Sequence, residues 1–89
     1  MIYKIGKVLL LLNRLKDIDA TIQLSDIEGT QFSVDPGELY AALIKSVQWK
    51  NYSKEEDTIS LWLVQNDKKV SYTIRYNTLE SAIRGLPAL

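Results

Sequence analysis

The stretch Thr58 to Tyr76, TISLWLVQNDKKVSYTIRY, decides the fold, because apolar and polar side chains alternate on both sides of a short polar centre. Alternation with a period of two is typical of strands, and Asn66-Asp67-Lys68-Lys69 predicts the connection of a β-hairpin. Pairing Gln65 with Val70 then gathers the apolar side chains on one face: Ile59, Leu61, Leu63, Tyr72, Ile74 and Tyr76. On the opposite face the same pairing matches Ser60 with Arg75, Trp62 with Thr73, and Val64 with Ser71.

A shorter hairpin precedes this one and follows the same alternation. Pairing Leu24 with Phe32 and Ile22 with Val34 places four apolar side chains on one face. The loop that remains is Ile27-Glu28-Gly29, and Gly29 falls where a three-residue hairpin loop needs a positive φ.

Three helices are predicted around the hairpins. Asp35-Pro36-Gly37-Glu38 combines an N-cap, a proline at the first helical position and a capping-box glutamate, so a helix begins there and ends around Gln48. Its predicted buried stripe is Leu39, Leu43, Ile44 and Val47. A last helix follows an Asn77 cap with Glu80 at the capping-box position and ends at Gly85.

The N-terminal segment is predicted to be a helix from about Tyr3 to Lys16, because its apolar residues recur at spacings of three and four. The run Val8 to Leu12 is also compatible with a buried strand. Residues Trp49 to Asp57 are predicted to be a polar connection. The chain therefore reads as one α+β domain over residues 1–89, in the order α-ββα-ββα, with a four-stranded antiparallel sheet and helices packed on one face.

Composition excludes several classes of function. The chain has no histidine and no cysteine, so catalytic systems built on either side chain, and zinc sites of thiolate or imidazole, are impossible within it. The net charge is zero, which argues against a general attraction to nucleic acid or anionic membranes. The lack of cysteine also favours a reducing, cytoplasmic location.

The remaining residues give no pattern of an enzyme, a metal site or a cofactor site. Glu55-Glu56-Asp57 is the one dense acidic cluster, but it lacks the alternating aspartates and the glycine of a calcium loop. A glycine-rich phosphate loop and a nucleophile elbow are both missing from the sequence. We therefore predict a protein that is not an enzyme and holds no cofactor.

The outer face of the second hairpin is the first candidate for partner binding. Trp62 and Val64 stand where a solvated sheet normally shows polar residues, and the predicted pairing brings Arg75 within diagonal reach of the indole. Tryptophan and arginine concentrate binding energy at protein interfaces. The alternative is that the N-terminal helix or the loop from Trp49 to Asp57 covers Trp62 within one subunit.

The apolar run Val8 to Leu12 is the second candidate. It is too short for a membrane span or a signal peptide. Five successive apolar residues on a helix cover more than one side, so Leu10 and Leu11 are predicted to contact a second copy or another protein. Together these features predict a protein–protein interaction module of the adaptor or inhibitor type that forms a homodimer.

Binding of single-stranded nucleic acid is the alternative from another class. Exposed aromatic side chains and lysines on one sheet face would combine base stacking with phosphate attraction. The residues predicted for this role are Trp49, Lys50, Tyr52, Lys68 and Lys69.

Overall fold

The computed structural model describes residues 5–86, in which helices and strands alternate as α-ββα-βββα. The elements are α1 (Ile5–Leu15), β1 (Ile22–Ser25), β2 (Gln31–Val34), α2 (Pro36–Gln48), β3 (Tyr52–Ser53), β4 (Thr58–Gln65), β5 (Lys68–Arg75) and α3 (Tyr76–Arg84). The α+β class is confirmed. The predicted start of the first helix at Tyr3 lies outside the described residues.

The first hairpin is formed as predicted. Ile22 pairs with Val34 and Leu24 with Phe32, and all four side chains are buried. The Asp26 amide donates to the Thr30 carbonyl at 3.0 Å, which closes a three-residue loop. Gly29 has a φ of 87°, a conformation that a side chain would disfavour.

The second hairpin has the predicted faces but a different register. Gln65 pairs with Lys68 rather than with Val70, so each partner is displaced by two residues. The turn contains only Asn66 and Asp67, with φ values of 52° and 64°. Two-residue hairpin turns need positive φ at both positions, which asparagine and aspartate tolerate. Because a shift of two preserves the side of each residue, Ile59, Leu61, Leu63, Tyr72 and Ile74 are still buried.

The prediction of one four-stranded sheet is wrong. The strands form a two-stranded sheet of β1 and β2 and a three-stranded sheet in the order β3-β4-β5, both antiparallel. The strand β3 lies within the segment predicted to be only a connection. The first hairpin instead packs its apolar face into the core, where the Phe32 ring stacks on Tyr72 with centroids 3.8 Å apart. A four-residue strand offers few edge hydrogen bonds, so burial of its apolar side chains dominates its placement.

The helix α2 has the predicted bounds, but its N-terminus differs in detail. Asp35 occupies the N-cap position with extended backbone, yet its side chain makes no capping hydrogen bond. The buried face is also turned relative to the predicted stripe, because Ala42 and Ser46 are buried while Ile44 and Val47 are only half-buried. The Ser46 hydroxyl donates to the Ser60 carbonyl at 2.6 Å, which satisfies a polar group in that buried position.

The helix α3 begins one residue earlier than its predicted cap. Arg75 holds the N-cap position instead of Asn77, because β5 continues directly into the helix and the Tyr76 amide donates to the Asp57 carbonyl. Glu80 does not cap the helix; its carboxylate pairs with Arg84 at 2.9 Å, one turn further along. Helix α2 contacts β4, and α3 contacts β1 and β5, so the core lies between the helices and one face of each sheet.

Candidate functional site

Trp62 lies in the middle of β4 and points away from the core. Its neighbours Leu61 and Leu63 are buried, so the alternation of the strand places the indole on the outer face, where 53% of its surface is exposed. Val64 shares this face and is 64% exposed. Among residues 5–86, neither a helix nor the segment from Trp49 to Asp57 seals the indole, because more than half of its surface is exposed.

A second exposed tryptophan stands beside the first. Trp49 directly follows α2 and is 75% exposed. The two tryptophans, together with Lys45 and Lys69, line a cleft of about 360 Å³ between the C-terminal end of α2 and β4. We call this the tryptophan cleft; its other lining residues are Ala42, Ser46, Gln48 and Asn51.

A shallow depression on the outer face of the three-stranded sheet adjoins the tryptophan cleft. Trp62 borders both, and Tyr52 from β3 lines the far side of the depression. Between them the Ser60 and Thr73 hydroxyls are 3.0 Å apart and bonded to each other. The other lining residues of the depression are mostly polar and include Glu56, and Ile27 adds an exposed apolar side chain at its border.

A third hollow runs along the side of β4 next to α2. It is lined by Trp62, Leu63 and Val64 from the strand and by Glu38, Ala41, Ala42 and Lys45 from the helix. We call it the α2–β4 groove. Glu38 is the single acidic residue among the described residues that line either the groove or the tryptophan cleft.

Arg75 does not lie beside Trp62, and this predicted neighbourhood is wrong. In the observed register Arg75 pairs with Thr58 at the opposite end of β4, whereas Trp62 pairs with Ser71. The two-residue turn displaces β5 by two positions and brings Lys69 opposite Val64 instead. The cation beside the indole is therefore a lysine.

The two leucines predicted on the first helix differ in their surroundings. Leu10 is 68% exposed on α1, but Leu11 is half-buried and packs against the core. Helix α1 packs mainly against α2 and α3. Leu10 is therefore an exposed apolar side chain on α1, on a different element from Trp62 and Val64.

The residues predicted for nucleic-acid binding are partly brought together. Trp49 and Lys69 line the tryptophan cleft, but Tyr52 pairs with the buried Ile59, is half-buried and packs against the core. Lys50 and Lys68 are exposed, but neither lines the cleft. Sequence reasoning missed Lys45 and Asn51; Lys45 precedes Trp49 by four residues at the end of a predicted helix, a spacing that places both on one side.

Within residues 5–86, the structure shows no group of three or more acidic side chains arranged to hold a metal ion. Glu55 and Glu56 of the acidic cluster are exposed. The helices of that same range include none with the length and apolar character needed to cross a membrane.

Comparisons of the chain with protein-family models, with curated proteins and with solved structures find no match.

Proposed function

We propose that this chain is a non-enzymatic protein–protein interaction module that forms a homodimer and acts as an adaptor or inhibitor. The observation that carries the proposal is the exposure of Trp62 and Trp49 around the tryptophan cleft, with Val64 exposed beside Trp62 in the adjoining α2–β4 groove. Tryptophan is the residue type most enriched among those that dominate binding energy at interfaces. Apolar side chains clustered on a polar rim are typical of docking surfaces.

The chemistry of the chain supports a role in binding rather than catalysis. Without histidine or cysteine, the tryptophan cleft offers two lysines, an asparagine and a glutamine beside its aromatic rings. Such groups orient a partner through hydrogen bonds and charge, while the indoles supply apolar contact area. The lack of cysteine also supports a cytoplasmic location, where thiols stay reduced.

Replacement of Trp62 by alanine tests the proposal. We expect the dimer to weaken by about 2 kcal/mol, which is roughly a thirtyfold rise in its dissociation constant. Sedimentation equilibrium at several concentrations measures this change, and circular dichroism with thermal unfolding checks that the variant is folded. Leu10→Ala is the comparison variant, because it removes a comparably exposed apolar side chain from α1, the other predicted contact surface.

Two results would contradict the proposal. A wild-type protein that remains monomeric at millimolar concentration has no homodimer, and an unfolded Trp62→Ala variant means that the indole supports the core. A dimer that Leu10→Ala disrupts and Trp62→Ala does not would move the contact surface to α1.

Single-stranded nucleic acid is the second candidate, favoured by the two exposed indoles with Lys45 and Lys69 around one cleft. Bases stack on aromatic side chains while lysines attract the phosphates. An oligothymidylate should then quench tryptophan fluorescence, with an affinity that falls steeply with added salt and after Lys69→Ala. Lys68→Ala tests the start of β5 in the same way. Unchanged fluorescence at low salt excludes this candidate.

A further inference from the structure

The tryptophan cleft carries unused hydrogen-bond donors around an apolar surface. Lys45 and Lys69 line it from α2 and β5, and within residues 5–86 neither ammonium group has an ion-pair or hydrogen-bond partner. The indole N–H groups of Trp49 and Trp62 have no acceptor in that range either. Ammonium and indole N–H groups donate hydrogen bonds but cannot accept them. These four side chains therefore match a ligand that supplies acceptors.

Two carboxamides add to this set of donors. The Asn51 amide donates to the Ser46 carbonyl at 2.8 Å and its carbonyl accepts from the Ser60 amide at 2.9 Å, so the half-buried Asn51 is fixed between α2 and β4. Its side-chain carboxamide and that of Gln48 have no partner in the described part of the chain. Each carboxamide adds two donor hydrogens beside one acceptor oxygen. The described residues that line the cleft include no acidic side chain, so its charge favours an anion.

The indoles indicate what else the ligand contains. Trp49 and Trp62 present planar apolar faces, on which aromatic rings stack in offset or edge-to-face geometry. The cleft volume of about 360 Å³ lies near the lower end of the range of about 300–1,000 Å³ that is usual for small-molecule sites. The cleft therefore has room for one ring system with one anionic group.

We propose that the tryptophan cleft binds a small aromatic anion. The ring lies against the indoles, and the carboxylate or phosphate is held by Lys45 and Lys69. An aromatic cation suits the cleft less well because both lysines repel it, and a neutral ring leaves two charges without a partner. This binding goes beyond the proposed function and does not depend on a homodimer.

Tryptophan fluorescence tests the proposal, because both tryptophans of the chain line this cleft. The probe is 4-nitrobenzoate, whose electron-poor ring quenches indole fluorescence on contact, and 4-nitrobenzamide has the same ring without the charge. We expect saturable quenching by 4-nitrobenzoate, with a dissociation constant about fivefold below that of the amide, since both lysine contacts are exposed to water. A parallel titration with 4-nitrophenyl phosphate determines whether the site prefers a carboxylate or a phosphate.

Lysine variants test the position of the charge. Lys69→Met should raise the dissociation constant of 4-nitrobenzoate about threefold and leave that of the amide unchanged, and Lys45→Met should do the same. Lys68→Met is the matched control, because Lys68 is exposed in the same strand but lies on its opposite face and does not line the cleft. Its constant should stay within about 1.5-fold of the wild type. Thermal unfolding checks that each variant is folded.

The proposed dimer would cover the same indoles, so the titrations use a protein concentration about tenfold below the dimer dissociation constant, where most chains are monomers. Quenching that does not saturate, or that is as strong with the amide as with both anions, overturns the aromatic-anion site. Equal effects of Lys68→Met and Lys69→Met overturn it too. A dimer whose monomers do not bind the probes overturns this site alone, whereas a lasting monomer that binds them overturns only the homodimer.

Discussion

At the scale of single residues, the buried hydroxyl of Ser46 joins α2 to the sheet. Only 2% of the Ser46 surface is exposed, and its hydroxyl is bonded to the carbonyl of Ser60, an edge residue of β4. The bond is partly buried, and a carbonyl shielded from water that loses its partner keeps the cost of its desolvation. This bond joins α2 to β4 two residues before Trp62.

Removal of that hydroxyl should be costly, whereas removal of an exposed one should not. We expect Ser46→Ala to lower the free energy of unfolding by about 1–2 kcal/mol. Ser33→Ala is the control, because the Ser33 hydroxyl bonds Gln23 on an exposed surface and its loss should change stability by less than about 0.5 kcal/mol. Urea unfolding of both variants measures the difference. Equal effects would mean that Ser46 contributes nothing beyond an exposed bond.

At the scale of elements, the two hairpin turns differ in how well their sequences suit their backbones. Gly29 supplies the positive φ of the first loop without strain. The second turn requires positive φ at two successive residues, and both are residues other than glycine, Asn66 and Asp67. Asparagine followed by glycine is the preferred pair for such a turn.

Replacement of Asp67 by glycine should therefore stabilise the protein. We expect a gain of about 0.5–1 kcal/mol in the free energy of unfolding, because glycine adopts positive φ freely. Gly29→Ala introduces the reverse change in the other hairpin and should cost about 1 kcal/mol. Chemical denaturation measures the free energy of unfolding of both variants. A neutral or destabilising Asp67→Gly would contradict the positive-φ turn and, with it, the two-residue register.

The register of the β4–β5 hairpin shows which features of the two hairpins can be predicted from sequence and which cannot. Alternation fixes the side on which each residue lies, so the buried faces of both hairpins were predictable. It does not distinguish registers that differ by two residues, because both keep the same faces. The prediction of Arg75 beside Trp62 is wrong for this reason. The tryptophan cleft is not predictable from alternation, because it depends on where α2 lies against β4.

At the scale of the whole molecule, Tyr76 joins the end of β5 to the start of α3 and is buried. Burial, reinforced by the charges of Glu80 and Asp57, raises the pKa of this phenol above its ordinary value of 10.0, although Arg84 opposes the shift. The folded state thus favours the neutral ring more strongly than the unfolded state does. Its contribution to stability is complete below pH 10 and is lost as the pH rises through the folded pKa.

Stability should therefore decline more steeply above pH 10 in the wild type than in Tyr76→Phe, which has no proton to lose at this position. Urea unfolding at several pH values from neutral to strongly alkaline measures the two slopes. Other groups that titrate in this range affect both proteins alike, so the difference reports Tyr76. Parallel slopes would mean that the phenol ionises equally well in both states.

The separation of the strands into a two-stranded and a three-stranded sheet has a consequence for the folding reaction. Each hairpin closes over a short length of chain, and the Ile27 amide of the first hairpin donates to the Thr73 carbonyl of β5 at 2.9 Å. Short closures cost little chain entropy, and topologies rich in local contacts fold quickly. We therefore expect the local contacts of each hairpin to form early in folding, and the packing of the helices against them to complete the core.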